Sequence, residues 1–138
     1  MVIEVASNDG YLLKNFVSKG IPCLGIEPTN TTASASEALG IDNIREFFSE
    51  KLGKRLADEK KQAHLIIANN VYAHVPDILD FTLALNTLLN DDGVITLEFP
   101  HVIRMIEDGT FDTIYHEHFS YHSLTTVMKI FETAGLKI

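Results

Sequence analysis

The chain has 138 residues, enough for one domain with a real core, and its 46% hydrophobic and 22% charged residues exclude a disordered polymer. A formal net charge of −8, with 11 scattered Lys and Arg, excludes an electrostatic footprint for nucleic acid or an anionic membrane. A single cysteine, Cys23, excludes an internal disulfide and a cysteine-based zinc site and suits a reducing cytoplasm, and no apolar run reaches the roughly 20 residues of a membrane helix.

The pattern then alternates short apolar runs with longer amphipathic ones, which predicts an α/β fold: a mostly parallel sheet with helices on both faces. The first strand is expected at residues 2–6, followed by a helix from Tyr11 to Lys19 that Gly20 ends. Cys23–Ile26 reads as the second strand. Asn30 or Thr31 is the expected cap of a helix running to Leu39, a better reading of Asn30-Thr31-Thr32 than a glycosylation sequon where no signal-peptide pattern precedes it. A weak strand is expected at Ile44–Phe47, then a charged helix from Ser49 to Lys61. Leu65–Ala68, apolar throughout, is the clearest central strand. Pro76 opens a helix carrying Phe81, Leu85 and Leu88; Asp91-Asp92-Gly93 is a turn and Val94–Phe99 the fifth strand. Ser123 caps a last helix to Ala134, closed by Gly135.

All 138 residues read as one domain. The chain opens almost inside a strand and closes on Leu136–Ile138, which reads as the start of another, so a piece of a longer protein is expected, truncated at its C-terminal strands. Its sheet edge near Ile138 would be open to self-association.

In an open α/β sheet the ligand sits at the carboxyl ends of the strands, where the strand order reverses. The loop Glu4-Val5-Ala6-Ser7-Asn8-Asp9-Gly10 is expected there, with Gly10 letting backbone approach a ligand and the next helix offering free N–H groups. It lacks G-x-G-x-x-G, and its acidic Asp9 disfavours a pyrophosphate, so a dinucleotide is the weaker reading. Glu27, ending the second strand, is placed to accept both hydroxyls of a ribose. Together these groups suit adenosine with an amino-acid tail. Phe47 and Phe48 are candidates to floor the adenine, although core packing explains them equally well.

The stretches EVASNDGYLL (4–13), LGIEP (24–28), FFS (47–49), ANNVYAHV (68–75), DGVITLEFP (92–100) and FDTIYHEHFSY (111–121) resemble, in order, the sugar C-methyltransferases that act on nucleotide-linked 4-keto deoxysugars. The resemblance implies a Rossmann-like methyltransferase fold, S-adenosylmethionine as cofactor and a small-molecule substrate, a nucleotide sugar. It groups Pro28, Asn69 and Asn70 with Glu4, Ala6, Ser7, Asn8, Asp9, Gly10, Glu27, Phe47 and Phe48 at the cofactor. Ala6 stands where the family usually has Gly. Members also carry an N-terminal zinc-binding region and a C-terminal domain, neither of which is in this sequence.

By the same resemblance, Tyr115, Glu117, His118 and His74 fall on positions that line the sugar pocket. Alkylating carbon beside a ketone needs a base for the α-proton and a donor to the enolate oxygen. His118 is the chosen base, because neutral imidazole accepts a proton near pH 7. Glu117 is expected to orient it or bind a sugar hydroxyl, and His74 or Tyr115 to donate to the enolate; a base role for Tyr115 stays open. His118 and His122 are four apart, but HExxH is missing and no third ligand is apparent, so no metal is assigned. Two alternatives remain: an O- or N-methyltransferase on another small molecule, and a non-catalytic domain that binds S-adenosylmethionine.

Overall fold

In the computed structural model, which describes residues 1–138, five strands form one parallel sheet: β1 (Val2–Val5), β2 (Cys23–Ile26), β3 (Asp42–Ile44), β4 (Ala63–Asn69) and β5 (Leu89–Glu98). Their order is β3-β2-β1-β4-β5, so the chain reverses its direction of travel between β1 and β4. The helices are α1 (Lys14–Val17), α2 (Asn30–Glu37), α3 (Glu50–Asp58), α4 (Ile78–Leu88), α5 (Val102–Asp108) and α6 (Leu124–Thr133), with short 3-10 turns at Tyr72–His74 and Phe111–Thr113.

Strand alternation splits the apolar residues into two layers. Ile3, Val5, Leu24, Ile26, Ile66 and Ala68 join Leu52 and Leu56 of α3, Phe81, Leu85 and Leu88 of α4, and Val127 and Phe131 of α6 in the larger core. Val2 and Ile67 face the other way, packing with Leu13 and Ile41 and, at their margin, Phe16 and Val17 of α1. Both faces of β1 are thus covered, which is why it is buried along its whole length. Truncating a fully buried side chain such as Leu85 to Ala costs about 2–5 kcal/mol.

The strand and helix expectations hold in outline, and the departures have local causes. The first helix shrinks to four residues, because Asn15 turns its amide onto the Tyr11 and Leu12 carbonyls and Ser18 onto that of Asn15, competing with the helical ladder. β3 lies earlier than Ile44–Phe47, since Asp42–Ile44 are the residues in register with Leu24–Ile26. Thr29, not Asn30 or Thr31, is the N-cap of α2. Pro76 lies just before α4 and not in its first turn, because Asp77 caps the helix, its carboxylate accepting the Asp80 N–H at 3.0 Å. Residues 91–93 lie inside β5 as a register shift: Ala63 pairs with Leu89 but Leu65 with Val94. Ser123 does cap α6, accepting from Thr126 at 3.2 Å. No helix is long and apolar enough to cross a membrane.

Candidate functional site

A cavity of about 600 Å³ opens at the carboxyl edge of the sheet, where β1 and β4 part. The ends of β1 and β2 (Val5, Ala6, Ile26, Glu27, Pro28), the loop after β3 (Glu46, Phe47, Phe48) and the turn after β4 (Val71, His74, Val75, Pro76) line it, with Phe81 and Phe119. Its size is that of a small-molecule site. The wall is mostly apolar, with the two carboxylates as its acidic groups.

The loop after β1 is built from backbone conformations that side chains disfavour. Ala6 (φ 57°), Asn8 (φ 51°) and Gly10 (φ 79°) all lie in the left-handed region. On the side where a side chain would project, the room at Gly10 is taken by the protein itself. A side chain there would meet Ile41 Cδ1 at 2.5 Å and Ser36 Oγ at 2.6 Å, so glycine seats the loop against α2. Asp9 is exposed and accepts the Tyr11 N–H at 3.2 Å. Ser7 is fully buried and donates to Asn43 Oδ1 at 3.2 Å, off the cavity wall; these two side chains fill the space above Gly25, where a Cβ would come within 2.1 Å of Asn43.

Glu4 also lies off the cavity wall. Strand alternation turns it to the face of Val2 and Ile67, where it is 2% exposed with Oε2 unpartnered. Burial pushes its carboxyl up to about 7.

Glu27 joins two loops at the cavity. Its Oε2 accepts the Asn8 N–H at 3.1 Å and its Oε1 the Thr29 N–H at 2.8 Å, which leaves one lone pair on each oxygen for a ligand. Glu46 is held by Arg55 of α3 at 2.6 and 3.2 Å, and that hydrogen bond lowers the Glu46 carboxyl below its ordinary value. Phe48 packs edge-on against Phe81 with centroids 5.0 Å apart, whereas Phe47 stands 82% exposed at the mouth. Asn69 and Asn70 lie off the wall; Asn70 (φ 51°) bonds through its N–H and its amide to Glu98 at the end of β5.

The second half of the site is the irregular stretch after α5. Phe119 and Ser120 donate their N–H groups to the Ala73 carbonyl at 2.8 and 3.3 Å, fastening this stretch to the turn after β4. His74 and His118 consequently meet edge-to-face, with centroids 4.6 Å apart. His118 Nδ1 lies 2.9 Å from the Thr113 carbonyl, which can only accept, so Nδ1 carries the proton. Nε2 is therefore the basic nitrogen, and it accepts the Tyr115 O–H at 2.9 Å. Tyr121 lies edge-on to the same imidazole, at 5.8 Å.

The structure thus brings Tyr115, His118 and His74 together. Glu117 is exposed and its side chain makes no hydrogen bond, so the expectation that it orients His118 is corrected: the Thr113 carbonyl does so. Residues 114–121 form no helix, so His118 and His122 share no helical face. Sequence reasoning missed Thr113, because its contribution is a backbone carbonyl, and Val71, Val75 and Phe119, which read as ordinary apolar residues. Their only signal was proximity to His74 and His118.

Residues 1–138, the whole chain, match the family described as Methyltransferase domain. The chain belongs to this methyltransferase family. The C-methyltransferase NovU of Streptomyces niveus is 33% identical over all 138 residues, which supports the likeness to sugar C-methyltransferases, and the chain spans 33% of that protein's length. Two solved structures share the fold. A SAM-dependent methyltransferase from Archaeoglobus fulgidus superposes with a TM-score of 0.75 at 15% identity, over 97% of this chain and 59% of that one. An S-adenosylmethionine-dependent methyltransferase from Mesorhizobium loti gives 0.72 at 12%, over 97% and 72%. The five-stranded parallel sheet is the Rossmann-like fold of S-adenosylmethionine-dependent methyltransferases.

Proposed function

We propose that this chain is the cofactor-binding core of a C-methyltransferase acting on a nucleotide-linked keto deoxysugar, and that the cytoplasm is where it works. The observation that carries the reading is the Tyr115–His118 pair, a hydroxyl and a basic nitrogen 2.9 Å apart, which lies just off the cavity wall behind His74, the lining residue against which His118 packs. O- and N-methylation start from heteroatoms that already hold a lone pair. Carbon beside a ketone must first lose a proton, and this pair is suited to take it.

The cavity fits the cofactor on its own features. An adenosyl group matches its apolar wall and volume, and Glu27 keeps an open lone pair on each oxygen for ribose hydroxyls. Glu27, which no cation pairs, gives it the negative charge that a sulfonium favours, whereas Glu46 is already paired with Arg55. In this reading Ala6, Glu27, Pro28, Phe47 and Phe48 hold the cofactor directly, while Glu4, Ser7, Asn8, Asp9, Gly10, Asn69 and Asn70 shape the loops around it. When bound, S-adenosylmethionine supplies an electrophilic methyl group.

His118 Nε2 takes the proton from the substrate carbon, either directly or through the Tyr115 hydroxyl, which passes its own proton to Nε2. Both routes end with imidazolium bonded to the Thr113 carbonyl. His74 donates to the enolate oxygen, which leaves the α-carbon nucleophilic toward the methyl group that S-adenosylmethionine would supply, its sulfur keeping the electron pair of the broken S–CH3 bond. Glu117, free and exposed, is available to a sugar hydroxyl.

Calorimetry with S-adenosylhomocysteine tests the cofactor half: binding is expected, and a folded sample that stays silent would overturn it. Transfer of a radiolabelled methyl group to a nucleotide-linked 4-keto sugar, with His118→Ala as control, tests the chemistry. Undiminished turnover in that variant would remove His118 from the reaction.

A further inference from the structure

Residues 102–121 leave the sheet after β5 and return to it before α6, carrying Tyr115 and His118 between two histidines. His101 and His122 meet at the base of this excursion in an isolated parallel bridge. There the Val102 N–H donates to the His122 carbonyl at 2.9 Å, and His101 Nε2 accepts the Leu124 N–H at 3.1 Å. The His122 side chain points into the core. It is 5% exposed, with ring centroids 5.1 Å from Tyr72 and 5.9 Å from Phe99, and its Nε2 is buried with no partner.

We propose that His122 is a positioning residue for the Tyr115–His118 pair, seating the 102–121 excursion only while its imidazole is neutral. The excursion has few other ties to the body: α5 buries no residue, and Phe111, Ile114 and Phe119 are exposed. Its second attachment, the Ala73 carbonyl, directly follows Tyr72, against which His122 packs. One aromatic contact therefore supports both the base of the excursion and the turn that sets His74 against His118.

The charge sensitivity follows from what surrounds the ring. Tyr72 turns its hydroxyl to Thr82 at 2.8 Å, Phe99 is apolar, and His101 is committed to Leu124. Glu98, the carboxylate that precedes Phe99, is exposed and bonded to Asn70. No carboxylate accepts from the His122 ring, so a proton there is uncompensated and burial lowers its pKa below the ordinary 6.5. The unseated ring titrates near that ordinary value and the seated ring at lower pH. Seating is therefore complete above about pH 6.5 and weakens by at most about tenfold per unit below it, until the seated ring itself titrates.

The inference rests on the reading of Tyr115 and His118 as the reacting pair, but its test reads the excursion and not turnover, so either can fail alone. Amide exchange, corrected for its intrinsic pH dependence, and limited proteolysis over residues 102–121 are followed from about pH 7.5 to 5. Opening of the unmodified chain should rise as pH falls below about 6.5, by at most about tenfold per unit, and level off once the seated ring itself titrates. His122→Phe, which fills the same aromatic slot without a titratable nitrogen, should flatten that rise, and His122→Gln provides a second neutral variant should the first not fold. A flat profile in the unmodified chain would overturn the proposal. So would an unchanged rise in either variant, because the titration would then belong to His74, His101, His116 or His118.

Discussion

The Tyr115 hydroxyl donates to His118 Nε2 at 2.9 Å while the Thr113 carbonyl holds the opposite nitrogen, so one tautomer of His118 is selected by the backbone. This arrangement makes the phenol and the imidazole a single proton-handling unit. Tyr115→Phe should lower methyl transfer by about 10²- to 10⁴-fold, the span of a positioned acid–base group, with cofactor affinity unchanged. A purely structural tyrosine would leave turnover near its original value, which steady-state kinetics would show.

Glu27→Gln should separate the carboxylate's two duties. The amide offers one acceptor where Asn8 and Thr29 present two N–H donors, so one of them faces a donor in return. Loss of that charge-assisted bond should cost about 1.5–3 kcal/mol in thermal unfolding. S-adenosylhomocysteine should bind at least about tenfold more weakly by calorimetry, that factor corresponding to about 1.4 kcal/mol.

Glu4 should make the chain less stable as pH rises. Its carboxyl is raised from 4.5 to about 7 in the folded state, so the folded chain holds the proton where the unfolded one has released it. Stability is full below about pH 4.5, falls between there and about pH 7, and levels off above. The total loss is on the order of 3–4 kcal/mol. Glu4→Gln should abolish this slope, leaving the variant more stable than the parent at about pH 8 and similar at about pH 4; denaturant titrations at the two ends check the sign.

Ala6→Gly should stabilise the loop after β1. The residue sits at φ 57°, where a Cβ costs about 1–2 kcal/mol and glycine nothing. Part of that gain is lost to the greater freedom of glycine in the unfolded chain, leaving about 0.5–1 kcal/mol. A lower unfolding midpoint for the glycine variant would show that the Ala6 methyl packs usefully on the cavity wall.

Much of the fold was legible in the sequence because its signals are local. Leu65–Ala68 reads as a buried strand, Ser49 and Ser123 accept the N–H groups that caps are expected to accept, and the β/α alternation implies a parallel sheet. Boundaries were less legible where side chains compete with the backbone, as Asn15 does in α1, or where pairing with a distant strand sets the register, as at β3 and residues 91–93. The element α5 has no buried face and hence no amphipathic signature to read.

The candidate site divides along the same line. Glu27 ends a strand whose carboxyl edge the α/β pattern already locates, so its place at the cavity followed from sequence. Glu4 and Ser7 belong to the same loop motif, yet strand alternation and the Asn43 contact direct them away from the cavity. The sequence determined which chemical groups gather at the edge of the sheet. Tertiary structure alone decided that a carbonyl from Thr113 selects the tautomer of His118, that Tyr115 and not Glu117 is its partner, and that His74 faces it. Those relations depend on long-range packing of an irregular stretch, which no periodicity in the chain encodes.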